Sequence, residues 1–269
     1  MPAGLKYNLN PIEGKMPEFC RVETIYRLSG GFNLDLTNLA AGALVPPMNP
    51  LFVDFATRKA YAIKGVIAYE GAESGATSIK VKKGSLIAVG DRLLLGEGSF
   101  TVSAVDKSND AYDALTVSAI PAAIASGAGL KEGKLVKKTA KVYANAASAA
   151  TSVKVAKGSG IVSGDVLTDG TNDITVSAIN TTGNFDYDTL TVAALTAGLS
   201  AGDEIVEKTA SQPAPAHVAN FLNYAWCKAE EGATVTAVGQ AFEIRESKLI
   251  TPISDEDKKS LGDRFMFTL

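Results

Sequence analysis

Ala76-Thr77-Ser78-Ile79-Lys80-Val81-Lys82-Lys83-Gly84-Ser85 is rewritten 74 residues later as Ala150-Thr151-Ser152-Val153-Lys154-Val155-Ala156-Lys157-Gly158-Ser159. Phe100-Thr101-Val102-Ser103-Ala104-Val105 returns in the same frame as Ile174-Thr175-Val176-Ser177-Ala178-Ile179. Across 76–105 the two stretches share 17 of 30 residues without a gap. Self-similarity at a fixed period marks a duplicated structural unit and decides the architecture before any single motif does. Duplication of a small unit extends reach or contact area more readily than it creates chemistry.

Inside each copy the pattern is that of strands. Val, Ile, Thr and Leu alternate with polar residues over 78–81, 100–105 and 115–117, and again over 152–155, 174–179 and 190–192. Such alternation buries one face of a strand and wets the other. Gly90-Asp91, Gly96-Glu97-Gly98, Gly164-Asp165 and Gly170-Thr171-Asn172-Asp173 punctuate the runs at turn spacing. A weaker echo lies within each copy, since the first strand leads to Gly90-Asp91 and the third to Gly127-Ala128-Gly129. Each copy therefore reads as two hairpin units closing one small barrel or sandwich. At roughly 65 residues such a unit is near the lower limit for folding alone.

The flanks read differently. Residues 1–35 carry Pro2, Pro11 and Pro17 with little periodicity, and predict an extended N-terminal arm. Its apolar side chains, Phe19, Val22, Ile25, Tyr26 and Leu28, exceed what a solvated tail uses, and are candidate contacts to a partner. A hairpin is expected from Leu51-Phe52-Val53-Asp54-Phe55 through a turn at 56–59 into 60–68. Further strands are expected over 218–226 and 234–245, then a short helix capped by Ser254 with Asp257 three residues on, then a closing strand at 265–269. Neither flank has enough strands to close a sheet alone. The expected organisation is all-β: an arm over 1–35, a base domain from 36–70 plus 215–269, and repeat modules at 75–140 and 149–210 inserted through the linkers Gly71-Ala72-Glu73-Ser74 and Ser211-Gln212-Pro213-Ala214-Pro215.

Composition narrows the function. Apolar residues are 46% of the 269, enough for real cores. A net charge of −3 and a pI near 5.4 argue against a nucleic-acid partner. No run approaches the ~18 apolar residues of a membrane span, and Met1-Pro2-Ala3-Gly4 does not open a signal peptide. Cys20 and Cys227 read as ordinary thiols of a chain made in a reducing compartment.

The search for catalytic or metal-binding residues yields none, and no cofactor is expected. His217 is the single histidine, expected on a strand beside Val218, and no cysteine or carboxylate stands near it at ligand spacing. The loops 106–113 and 180–188 are rich in Asp and Asn, whose oxygens suit calcium but also ordinary hairpin turns; their carboxylates are out of register, which favours turns. Tyr112, Asp113, Phe185 and Tyr187 sit in or beside these loops and are candidate exposed contacts, a host glycan being one possible ligand.

The pattern Ala-Thr-Ser-[Ile/Val]-Lys-Val, Gly-Asp-x-Leu, Thr-Val-Ser-Ala-[Val/Ile], Leu-Thr-Val resembles small β modules of tailed-bacteriophage structural proteins. The flank from Gly42 through Pro46-Pro47-Met48-Asn49-Pro50 to Asp54 resembles the start of capsid decoration and head-fibre proteins. So does the closing segment 239–244 with Leu249-Ile250-Thr251-Pro252-Ile253. The resemblance implies a non-enzymatic virion protein on the capsid surface, assembled in the bacterial cytoplasm. Its implied partners are the major capsid protein and further copies of itself, as dimer or trimer, with neither nucleic acid nor membrane. The alternative it leaves is a phage adhesin that binds host glycans. A polysaccharide hydrolase using the 106–113 or 184–188 carboxylates is a third and weaker reading.

Overall fold

The computed structural model describes residues 19–268, and over these the chain is β-rich, with several sheets and one α-helix, Asp255–Leu261. Two compact units divide it: one runs to Lys134 and resumes at Pro215, and the other is Leu135–Ala214.

In the first unit, segments from both flanks share one sheet. Its order is Tyr26–Arg27, Ala237–Arg245, Phe221–Asn223, Pro50–Asp54, Lys59–Ala62, Phe32–Leu34 and Thr234–Val235. The strand Phe265–Thr268 adds to Ala237–Arg245 in parallel. Leu51 lies opposite both Phe221 and Ala62, so the N-terminal hairpin is stitched directly to the C-terminal flank. Thr234–Val235 and Ala237–Arg245 are almost continuous yet sit near opposite ends of the order, so the sheet curls back on itself. Phe32, Leu34, Val45, Leu51, Val53, Ala60, Ala62 and Phe221 form one of its buried clusters. The turn expected at 56–59 is closed by Asp54, whose carboxylate accepts from the backbone amide of Ala56 and from the Thr57 hydroxyl.

Part of the expected arm, 1–18, lies outside the described residues. The rest of it, 19–35, is no loose extension: Tyr26–Arg27 and Phe32–Leu34 are strands of the sheet, because the alternation Phe32-Asn33-Leu34 buries, exposes and buries in turn.

The first repeat closes a ring of six strands. In order these are Gly65–Ile67, Gly129–Val136, Arg92–Leu95, Gly98–Asp106, Tyr112–Val117 and Ser78–Lys82. A bridge between Ala68 and Val81 joins the last strand to the first. The second repeat makes the same circuit through Thr139–Lys141, Glu204–Glu207, Val166–Thr168, Asp173–Asn180, Tyr187–Val192 and Ser152–Ala156. There Val142 bridges Val155. Closure leaves no unpaired edge and suits a small unit with little core to spare.

Each ring holds its own apolar interior. Val66, Ile79, Val81, Leu93, Phe100, Leu115 and Leu130 fill the first. Ala140, Val153, Val155, Leu167, Ile174, Leu190 and Ile205 fill the second. The internal echo seen in the sequence appears as equivalent bonds: the amides of Gly90 and Gly127 donate to Val102 and Ala68, and those of Gly164 and Gly202 to Val176 and Val142, all at 2.8 Å. Gly90 and Gly164 have φ of 95° and 97°, a conformation costly for a residue with a Cβ. The first ring begins at residue 65, so the strand Gly65–Ile67 falls before the expected start of the module at 75 and within the span assigned to the base.

Candidate functional site

The most buried lysine ammonium among the described residues is that of Lys64, whose side chain is 1% exposed. It contacts Asp91 Oδ1 at 2.5 Å and Glu132 Oε1 at 3.2 Å, and donates to the carbonyl of Asn38 at 2.7 Å. Glu132 also accepts from the backbone amide of Lys64, and Asp91 from that of Ala88. The second ring repeats the arrangement: Lys138 meets Asp165 at 2.8 Å, Glu207 accepts from the Lys138 amide, and Asp165 from that of Val162. A buried lysine in an active site would face a cleft and a reacting group. These face backbone and carboxylates of their own rings. Burial is the main influence on Glu132 and raises its pKa; Lys64 opposes this, and Asp91 adds to it.

The acidic loops resolve in the same way. Lys83, at the turn after Ser78–Lys82, donates to the carbonyl of Lys107 at 2.7 Å and lies 3.2 Å from Asp113. Lys157 donates to the carbonyls of Thr181 and Asn184 and lies 2.9 Å from Asp188. An ammonium thus occupies the loop where carbonyl and carboxylate oxygens converge, which is the place a calcium ion would take. Asp113, expected in an exposed loop, is instead buried at 1% exposure. It is the second residue of its strand, and the pleat turns it toward Lys83 and the interior.

His217 is also displaced from its expected strand. It lies in the irregular segment before Phe221–Asn223 and stacks on Tyr61 and Phe52, with centroids 4.7 and 5.0 Å away. Burial, then the charge of Lys134, lower its pKa and keep the imidazole neutral near pH 7. Cys20 is buried and Cys227 half-buried. Burial and then Glu230 push the Cys227 thiol up to about 11, which leaves it a poor nucleophile at neutral pH. Among the described residues no group of three or more His, Cys, Asp or Glu could hold a metal ion. Nor is any helix among them long and apolar enough to cross a membrane.

The helix Asp255–Leu261 anchors the first ring. Ser254 and Asp257 form the reciprocal cap that their spacing suggests. Asp257 is fully buried, and beyond its capping role accepts from the Ala219 amide at 2.7 Å and pairs with Lys131 Nζ at 2.7 Å. Nearby, Pro252 rests on bare backbone: a Cβ added to Gly129 would come within 2.7 Å of it, and one on Gly65 within 3.2 Å. A cleft of about 620 Å³ lies beside this contact, with Ile67, Leu130, Lys131, Glu246 and Asp255 among its walls.

The candidate partner contacts separate into two groups. Phe19 is 6% exposed and belongs to the cluster with Leu249, Ile253 and Leu261, so it is a core residue and not a free contact. Ile25 and Leu28 pack against buried clusters and are half-buried. Val22 and Tyr26 remain open at 64% and 63%, Tyr26 on the edge strand of the curled sheet.

On the rings, Phe185 is 98% exposed. Tyr112 and Tyr187 are half-buried and begin strands, where each meets a second tyrosine that reading by loops had missed. Tyr69 lies 5.5 Å from Tyr112, and Tyr143 lies 5.0 Å from Tyr187, both pairs tilted by about 35°. Lys80 and Lys154 sit over Tyr112 and Tyr187 at 4.9 and 4.6 Å. Tyr69 and Tyr143 are 74 residues apart, so the same offset that found the repeat also finds them.

No family model, curated protein or solved structure matches the chain.

Proposed function

We propose that the chain is a capsid decoration or head-fibre protein of a tailed bacteriophage. It would dock through a base built from both flanks and carry two tandem β modules, the rings at 65–136 and 139–207. The observation that carries this reading is the sequence pattern of repeats and flanks. It agrees with a chain whose buried Lys64 and Lys138 pair with carboxylates of their own rings, and whose described flanks share one curled sheet. A ligand that prefers the assembled shell stabilises it by mass action, and that is the service such a base provides. Val22, exposed in the 3-10 turn Val22–Thr24, and Tyr26, exposed on the edge strand that follows it, are the residues assigned to the capsid subunit. Assembly as a dimer or trimer on a local symmetry axis of the shell belongs to the same reading, as does location on the virion.

The test is co-sedimentation with heads lacking this chain. The double variant Val22→Asp, Tyr26→Asp should keep its circular-dichroism spectrum and lose binding at least tenfold. Full binding by a folded double variant would remove the flank from the interface, and absence of the wild-type chain from the head pellet would end the reading.

A further inference from the structure

The two tyrosine pairs are the same construction with one electrical difference. In the first ring Lys80, over Tyr112, is paired with Glu70 at 2.8 Å. In the second ring Ala144 stands where Glu70 would be, and among the described residues no carboxylate comes within ion-pair distance of Lys154. Lys154 is exposed and touches the Tyr187 ring, and the Tyr143 amide donates to its own carbonyl, which keeps Tyr143 alongside it. The aromatic surface is therefore continuous with an uncompensated positive charge. Phe185, nearly fully exposed, stands two residues before Tyr187, where the first ring has only Asp110.

We propose that this face of the second ring, Tyr143, Lys154 and Tyr187 with Phe185 at its margin, binds an anionic carbohydrate. The apolar C–H face of a pyranose lies against an aromatic ring, while the phenol hydroxyls and the ammonium meet its polar edge. A carboxylate or sulfate on the sugar supplies the charge that Lys154 lacks and that Glu70 already supplies to Lys80. A nucleic-acid ligand does not fit, because one exposed lysine makes no basic stripe. The inference stands apart from the capsid reading, since sugar binding is measured on the free chain.

The full chain is to be tested on an array of uronate-, sialate- and sulfate-bearing glycans beside their neutral counterparts, and the best binders titrated by calorimetry. Binding should prefer the acidic form at least tenfold. It should fall at least tenfold in Lys154→Gln and in Tyr187→Ala, recover in Lys154→Arg, and persist in Lys80→Gln and Tyr112→Ala. Circular dichroism verifies each fold, and the exposed Lys154 variants carry the test if Tyr187→Ala unfolds. Equal binding of neutral glycans, an equal response to Lys80→Gln, polyglutamate binding as tightly as any glycan, or no acidic glycan bound at millimolar concentration would each overturn it.

Discussion

The first and second rings share a sequence pattern, a strand circuit and a buried lysine, yet they differ along one side. Lys131 of the first ring corresponds to Val206 of the second, Gly65 to Thr139, and Gly129 to Glu204. These three positions are where the first ring receives Asp257 and Pro252. Where the C-terminal flank packs, the first ring has two glycines and one buried cation. The second ring keeps side chains there. The comparison teaches that the two rings agree in what closes them and differ where the first meets the C-terminal flank.

The sharpest break should come from Asp257→Ala. It leaves the Lys131 ammonium buried without its closest carboxylate, with Glu256 at 3.7 Å as the remaining one, and removes the helix cap. Breaking one partner of a buried pair costs about 3–5 kcal/mol, so urea unfolding of the first unit should shift by that order. A loss under about 1 kcal/mol would mean that the anchor contributes little.

A smaller effect should separate the glycines. Gly129→Thr drives a side chain into Pro252 and should cost about 1–3 kcal/mol as an overpacked site. Glu204→Thr, its counterpart on an exposed position, should stay within about 0.5 kcal/mol. Equal costs would show that the glycine-bearing side has no structural meaning.

The acid response of Glu132 should be smaller again. Its folded pKa is raised above the usual 4.5, so the folded chain holds that proton more readily than the unfolded one. The stability this contributes is fully present below about pH 4.5 and is lost as pH rises through the folded value. Relative to Glu132→Gln, the wild type should therefore gain stability as pH falls from 7 toward 4.5. A parallel pair of pH profiles would contradict it.

Much of this was legible in the residues. The repeat offset, the alternation around Leu115 and Leu190, the turns at Gly90 and Gly164, and the Ser254–Asp257 cap are local signals, and each fixes its own neighbourhood. What was not legible depends on partners distant in sequence. The opening strand of each ring, at 65–67 and 139–141, is short and closes by pairing with residues about 65 positions away. Asp113 reads as a turn residue until the pleat places it against Lys83. Phe19 reads as a free contact until the Leu249 and Leu261 side chains cover it. Lys64 and Lys138 share the 74-residue offset with the rest, but the run of identities begins at Ala76, and two isolated lysines do not announce a buried pair.

The central claim is that one lysine-locked ring occurs twice, embedded in the flanks the first time and self-contained the second. Hydrogen exchange with mass spectrometry on full-length Lys64→Met and Lys138→Met tests it directly. Lys138→Met should speed exchange within 138–207 and leave the rest of the chain as it is. Lys64→Met should speed exchange in 64–133 and also in 215–268. Spread of the Lys138 lesion into the flanks, or confinement of the Lys64 lesion to its own ring, would contradict the account.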